Sequence, residues 1–466
     1  MATLAKSVPF FLVLLLLQWN GASASEFEAY PSAHLQTGSA VKNFGISGLS
    51  IEVDADALSK QIDELAAFSD TPAPSVTRVI YTKIDIAARK YIKDAMTSAG
   101  LTVREDAIGN IFGRWEGTEE TGAVGTGSHV DAIPHAGKYD GVVGVLGAIE
   151  AIRALRKSGF TPRKSLEVIM FTSEEPTRFG FGCLGSRAMA ASKDIYDILE
   201  MAVDKDNVSF SEAAKSAGYL KEGQQLKDVA VSNTSYSGFV ELHIEQGPTL
   251  ENEGLAIGIV TAIAAPASLQ VDFKGDGGHA GAVLMPFRND AGLAAAELAL
   301  AVEKHVLAAG SMDTVGTTGV LELHPGAVNS IPREAHLEID VRDIDGDRRD
   351  DVVEKICESA KEISGRRNVI LQNFKIVNQD PPARSAAEIV EAATLASQEL
   401  GFSYKLMISR AYHDSLFMSR ITPMGMIFIP CYKGYSHRPD EYASIEDISR
   451  GIQVLAFTLA KLSTNP

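Results

Sequence analysis

Short apolar runs alternate along this chain with segments of helical apolar spacing. The runs Ala123 to Gly127, Leu166 to Thr172, Gly238 to Leu242 and Met424 to Ile429 read as strands. Between Gly141 and Lys157 the apolar positions Val142, Val145, Leu146, Ile149, Ile152 and Leu155 follow a helical period, and Gly159 supplies a stop. This alternation predicts an α/β architecture with a largely parallel sheet. Each strand runs towards a His or Glu, and open α/β sheets gather ligands beyond the carboxyl ends of their strands, so the site is expected there. Between about 262 and 376 the pattern changes to a strand at Leu269 to Phe273, a helix around Ala291 to Leu307, strands at Val320 to Leu323 and Ala335 to Val341, and a helix near Asp350 to Ile363. That order predicts a small inserted α+β domain at 262–376, with 50–261 and 377–466 forming the main domain.

The first 24 residues follow a different rule. Lys6 supplies positive charge, Phe10 to Leu17 an apolar run, and Ala22-Ser23-Ala24 a small-residue cleavage site, which together predict a secretory signal peptide over 1–24. The run is short of the roughly 20 apolar residues that span a bilayer. A secretory route makes Asn207 and Asn233 candidate glycan acceptors and leaves retention or secretion open.

Composition narrows the function classes. The 466 residues suit two or three domains, and 45% hydrophobic with 22% charged residues is ordinary for a folded protein. A formal net charge of −17 gives no general attraction to nucleic acid or to anionic membranes, so neither is an expected partner. Three cysteines, Cys183, Cys357 and Cys431, form no Cys-x-x-Cys pair of the kind that builds structural zinc sites.

The chemistry sits in a few short motifs. In His129-Val130-Asp131 an imidazole can bind a metal through one nitrogen while a carboxylate fixes the other. Asp140, between flexible glycines at a helix start, is placed to bridge two ions, although taken alone a helix N-cap is the favoured reading of it. Glu174-Glu175 offers diverging carboxylates, one for metal and one as general base, although such a pair is also a common surface turn. His243 ends a strand, where a core or solvated histidine is the plainer reading, and His437 follows the last strand.

Taken in order, His129-x-Asp131, Asp140, Glu174-Glu175, His243 and Ser436-His437 resemble the aminoacylase and carboxypeptidase-like dinuclear metallohydrolases over nearly the whole chain. The resemblance implies a mostly parallel-sheet α/β catalytic domain with an inserted α+β lid or dimerisation domain. It further implies two divalent ions, manganese in the closest-looking members, with Asp140 bridging, Glu175 and His437 on one ion, and His129 and His243 on the other. Glu174 would be the general base and Asp131 would orient His129.

Glu241-Leu242-His243-Ile244-Glu245-Gln246-Gly247 is similar to the segment of the branch that cleaves ureido or carbamoyl groups, which demotes peptidase activity. The Gly278-His279-Ala280-Gly281 lid pattern belongs to the same branch. There His279 would reach a second subunit of a homodimer and stabilise the oxyanion. Asn329 and Arg342 match lid positions that hold a substrate carboxylate, and Gln246 would meet the ureido end. In Ser409-Arg410-Ala411-Tyr412-His413-Asp414, tyrosine replaces the glycine usual in allantoate amidohydrolases before the substrate-site His413. Tyr412 would shorten the pocket and offer a hydroxyl, or act by packing alone.

The implied activity is hydrolysis of a small anionic ureido acid, (S)-ureidoglycolate, to glyoxylate, ammonia and carbon dioxide in the endoplasmic reticulum. Allantoate, ureidoglycine or an N-carbamoyl amino acid are alternative substrates, and a non-catalytic ligand-binding relative is a further alternative.

Overall fold

The computed structural model describes residues 49–192 and 194–465, so the expected signal peptide at 1–24 lies outside the described residues. Among the described residues nine strands form the main sheet. Its centre is parallel: Met424–Ile429, Tyr236–Ile244, Ala123–His129 and Leu166–Phe171 lie side by side in one direction. Antiparallel neighbours extend both sides. Ile257–Ile263 pairs antiparallel with Met424–Ile429, and Ile111–Trp115 pairs antiparallel with Leu166–Phe171 and Thr102–Glu105. The expected parallel strands are therefore the middle of a mixed sheet. Apolar runs reveal burial but not strand direction, so the edges were not readable from hydrophobicity.

Helices cover both faces. Val142–Lys157 and Ile445–Thr464 pack together on one side, where Val145, Leu146, Ile149, Ile452 and Leu455 are buried with Leu242 and Ile427. On the other side Phe171, Phe239 and Phe428 pack against Leu184–Met189 and Asp414–Met418. Cladding on both faces explains why the central strands are apolar without alternation.

The inserted segment builds a second sheet of four antiparallel strands, in the order Val315–His324, Glu334–Asp343, Ala265–Lys274 and Ile370–Gln379. Helices Ala291–Leu307 and Gly346–Arg367 cover one face. Here the two-residue period is plain. Ala335, Leu337, Ile339 and Val341 enter the core under these helices, which sends Glu338, Asp340 and Arg342 to the opposite face. That face looks onto the main sheet across a cavity of about 880 Å³.

Candidate active site and metal centre

The parallel strands end together, and their carboxyl ends supply the cluster. His129 closes Ala123–His129, Glu174 and Glu175 follow Leu166–Phe171, and His243 lies one residue from the end of Tyr236–Ile244. Asp140 enters from the loop before Val142–Lys157. It does not cap that helix: Gly141 holds the N-cap position without a side-chain bond. Gly141 has φ +64°, and a Cβ there would stand 2.4 Å from His129 Nε2, so only glycine lets the loop bring Asp140 this close.

Backbone acceptors orient both buried imidazoles. His129 Nδ1 lies 3.1 Å from the Asp131 carbonyl oxygen and His243 Nδ1 lies 2.9 Å from the Ile244 carbonyl oxygen. Each contact favours a proton on Nδ1 and leaves the Nε2 lone pair exposed to the cluster. The Gly141 amide, donating to His243 Nε2 at 3.2 Å, marks that nitrogen as an acceptor too. Both Nε2 atoms face Asp140 Oδ1, at 3.7 Å from His129 and 3.1 Å from His243. The other Asp140 oxygen faces His437 Nε2 at 3.2 Å, and Glu175 Oε1 is 3.2 Å from the same nitrogen.

Lone pairs directed at carboxylate oxygens repel unless positive charge stands between them. Burial opposes the Asp140 charge, but the facing imidazoles of His129, His243 and His437 hold its carboxyl well below the usual range. Bonds to Asp140 and Glu175 push the His437 imidazole up to about 11. The cluster thus attracts cations. Two ligand sets, His129 with Asp140 and His243, and Asp140 with Glu175 and His437, each bring their donor atoms within 4.8 Å of one another. Asp140 belongs to both. Mixed imidazole and carboxylate donors suit Mn, Zn, Co or Ni, so the residues fit a pair of divalent ions.

Glu174 stands beside the cluster, with Oε2 3.8 Å from His129 Nε2 and Oε1 accepting the Cys183 thiol at 3.3 Å. Burial pushes its carboxyl well above the ordinary value, against the pull of His129. A buried carboxylate of raised basicity can take a proton from water. Asp131 works differently from expectation. Its carboxylate is 3.7 Å from His129 Nδ1, farther than its own carbonyl, and instead accepts the amides of Glu174 and Glu175 at 3.2 and 3.0 Å. One residue therefore orients the histidine through its backbone and the two glutamates through its side chain.

Glu441 is a site residue that sequence reasoning missed. Buried, it accepts the Tyr139 and Asp140 amides at 2.8 and 3.0 Å through Oε1 and the Ser436 hydroxyl at 3.1 Å through Oε2. Its burial raises the carboxyl to about 7. The available signal was an acidic residue four positions after His437, easily taken for a surface turn.

The substrate-contact candidates separate into two groups. Gln246, Arg342 and Tyr412 line the cavity that the candidate ligand cluster faces. Gln246 donates to Asp140 Oδ2 at 2.8 Å and Ser436 Oγ at 3.2 Å. Arg342 reaches Asp340 at 2.7 Å and the Arg410 carbonyl at 2.9 Å. The Tyr412 hydroxyl is already engaged, donating to Asp380 and accepting from Arg187 at 2.6 Å. The other three lie off the cavity lining. His413 is buried behind the cluster, its Nε2 2.9 Å from Ser409 Oγ and its ring edge-on to His243 with centroids 4.7 Å apart. His279 and Asn329 are exposed on the neighbouring strands Gly278–His279 and Ser330–Ile331 and the turn before them. His279 Nδ1 accepts the Gly281 and Ala282 amides at 3.1 and 3.2 Å, which fixes its ring and leaves Nε2 outward.

The chain is 66% identical over 412 residues to a ureidoglycolate hydrolase of Oryza sativa subsp. japonica, covering 88% of this chain and 85% of that one. It is 61% identical over 465 residues to a ureidoglycolate hydrolase of Arabidopsis thaliana, covering 98% of both. Crystal structures of AtUAH in complex with (S)-hydroxyglycine and with glyoxylate are 65% identical and superpose with a TM-score of 0.83, covering 89% of this chain and 99% of theirs. The family model for peptidase family M20/M25/M40 matches residues 125–461. The chain therefore belongs to peptidase family M20/M25/M40.

Proposed function

We propose that this chain is a metal-dependent amidohydrolase that converts (S)-ureidoglycolate to glyoxylate, ammonia and carbon dioxide. The observation that carries the reading is the sharing of Asp140 between two ligand sets with Glu174 beside them. Identity to ureidoglycolate hydrolases supports the substrate.

A pair of divalent ions held by His129, Asp140, Glu175, His243 and His437 would acidify water and polarise the ureido carbonyl. Glu174 takes the proton from the attacking water and returns it to the leaving nitrogen. Collapse of the tetrahedral adduct expels ammonia and leaves the N-carboxy compound, a carbamate, which then loses carbon dioxide to give hydroxyglycine. That hemiaminal sheds its amine as a second ammonia to give glyoxylate. Arg342, on the lid face opposite the cluster, supplies the positive charge that holds the substrate carboxylate, exchanging part of its contact with Asp340.

Three finer points complete the proposal. Manganese is the metal, consistent with hard carboxylate donors beside imidazole. The chain works as a homodimer in which the outward Nε2 of His279 serves a second copy's cavity, a role suited to its exposure and fixed ring. The signal-like segment 1–24 directs the chain to the endoplasmic reticulum.

The test is turnover of a ureido-acid panel by purified protein after chelation and re-addition of single metals. Ureidoglycolate should be the preferred substrate, with activity restored best by manganese. Preference for allantoate or an N-carbamoyl amino acid would overturn the substrate assignment, and full activity after exhaustive chelation would overturn the metal requirement.

A further inference from the structure

The chain passes into and out of the lid through two adjacent crossovers, and one carboxylate ties the outgoing crossover to the catalytic body. Asp380 directly follows the lid strand Ile370–Gln379 and is only 8% exposed. Its Oδ1 meets Arg420 at 2.6 Å, and its Oδ2 meets Arg187 at 2.8 Å and accepts the Tyr412 hydroxyl. From the lid side the buried Arg349 donates to the carbonyl oxygens of both Ala265 and Asp380, so one guanidinium joins the two crossovers. Arg187 and Arg420 stack on the Phe417 ring, at 4.2 and 4.4 Å from its centroid. The carboxylate is thereby held by groups that are themselves packed.

Tyr412 stands at the meeting point of this network and the cavity. Its hydroxyl gives its proton to a charged acceptor and receives one from a charged donor, the stronger kind of hydrogen bond. For the phenol to swing aside, Asp380 and Arg187 would each have to lose a partner in a site largely removed from water. A hydroxyl so engaged is a poor partner for substrate. The ring it anchors is a fixed wall.

Resting on the ureidoglycolate reading, we infer that Asp380 is a positioning residue for substrate selection. It locks Tyr412 in place from the lid crossover, and the locked ring excludes acids that carry a second ureido group. On this account the hydroxyl matters because it tethers the ring, and ring volume alone is insufficient.

Metal-loaded wild type, Tyr412→Phe, Asp380→Ala and the double variant would be compared in kcat and KM for ureidoglycolate and allantoate. Tyr412→Phe keeps the ring and removes only the tether, which guards against misfolding of the Asp380 variant. Each single variant should raise the ratio of allantoate to ureidoglycolate kcat/KM by about tenfold or more, chiefly through a lower KM for allantoate. The double variant should match the singles, because all three cut one contact. A selective wild type with an unchanged ratio in Tyr412→Phe would overturn the positioning role and leave the reaction standing. A wild type inert towards both acids would overturn the reaction and the selection role together.

Discussion

Glu441 holds Asp140 from behind: the carboxylate that accepts the Asp140 amide at 3.0 Å also fixes Ser436, whose hydroxyl lies 2.7 Å from Asp140 Oδ2. The backbone and the side chain of the shared ligand are thus set by one buried group. Groups of this kind typically change metal affinity by about 10- to 100-fold when removed. Glu441→Ala should weaken metal binding within that range, measured by titration of the chelated protein, and Glu441→Gln should weaken it less because its amide oxygen can still accept. Unaltered affinity in Glu441→Ala would show that the loop holds Asp140 unaided.

Gly141 gives a sharper steric test. Adding one carbon places it 2.4 Å from His129 Nε2 at a φ of +64°. Gly141→Ala should therefore bind metal poorly and lose about 100-fold or more in turnover, since misplacing a reacting group by 1 Å can cost that much. Far-ultraviolet circular dichroism should stay unchanged. A variant with full metal content and normal turnover would mean the His129 ring is free to move.

A third prediction concerns stability. Arg89 and Asp85 form an ion pair at 2.7 Å with almost no exposure, and Arg89 also donates to the Gly109 carbonyl and the Thr172 hydroxyl. Coulombic attraction to Asp85 helps raise Arg89 above its ordinary value despite burial. Arg89→Met leaves Asp85 charged and unpaired, which costs about 3 to 5 kcal/mol. Urea denaturation should show this loss. Replacing both residues together with apolar ones should recover part of it, and a single variant as stable as wild type would contradict the assignment.

What the sequence revealed follows from what local pattern encodes. The residues His129, Asp140, Glu174, Glu175 and His243 were legible because each sits at the end of an apolar run or beside a helix start, and His437 because it lies in the loop after the last strand. Parallel strands between helices bring such ends together. Glu441 and Asp380 were not legible, because their partners are far away in sequence. Glu441 bonds to residues about 300 positions earlier, and Asp380 draws on Arg187, Tyr412 and Arg420. No spacing rule marks a carboxylate whose role is decided by such contacts. The antiparallel flanks of the main sheet stayed hidden for a related reason: burial writes hydrophobicity into a strand, while pairing direction leaves no residue pattern.

The account rests on Glu174 acting on water beside a cation pair. The direct measurement is turnover of ureidoglycolate by metal-loaded Glu174→Gln, with metal content determined on the same sample. Two ions per chain and a fall in kcat of about 10² to 10⁴ are expected, because the amide cannot accept the proton. Near wild-type turnover by the fully loaded variant would contradict the account.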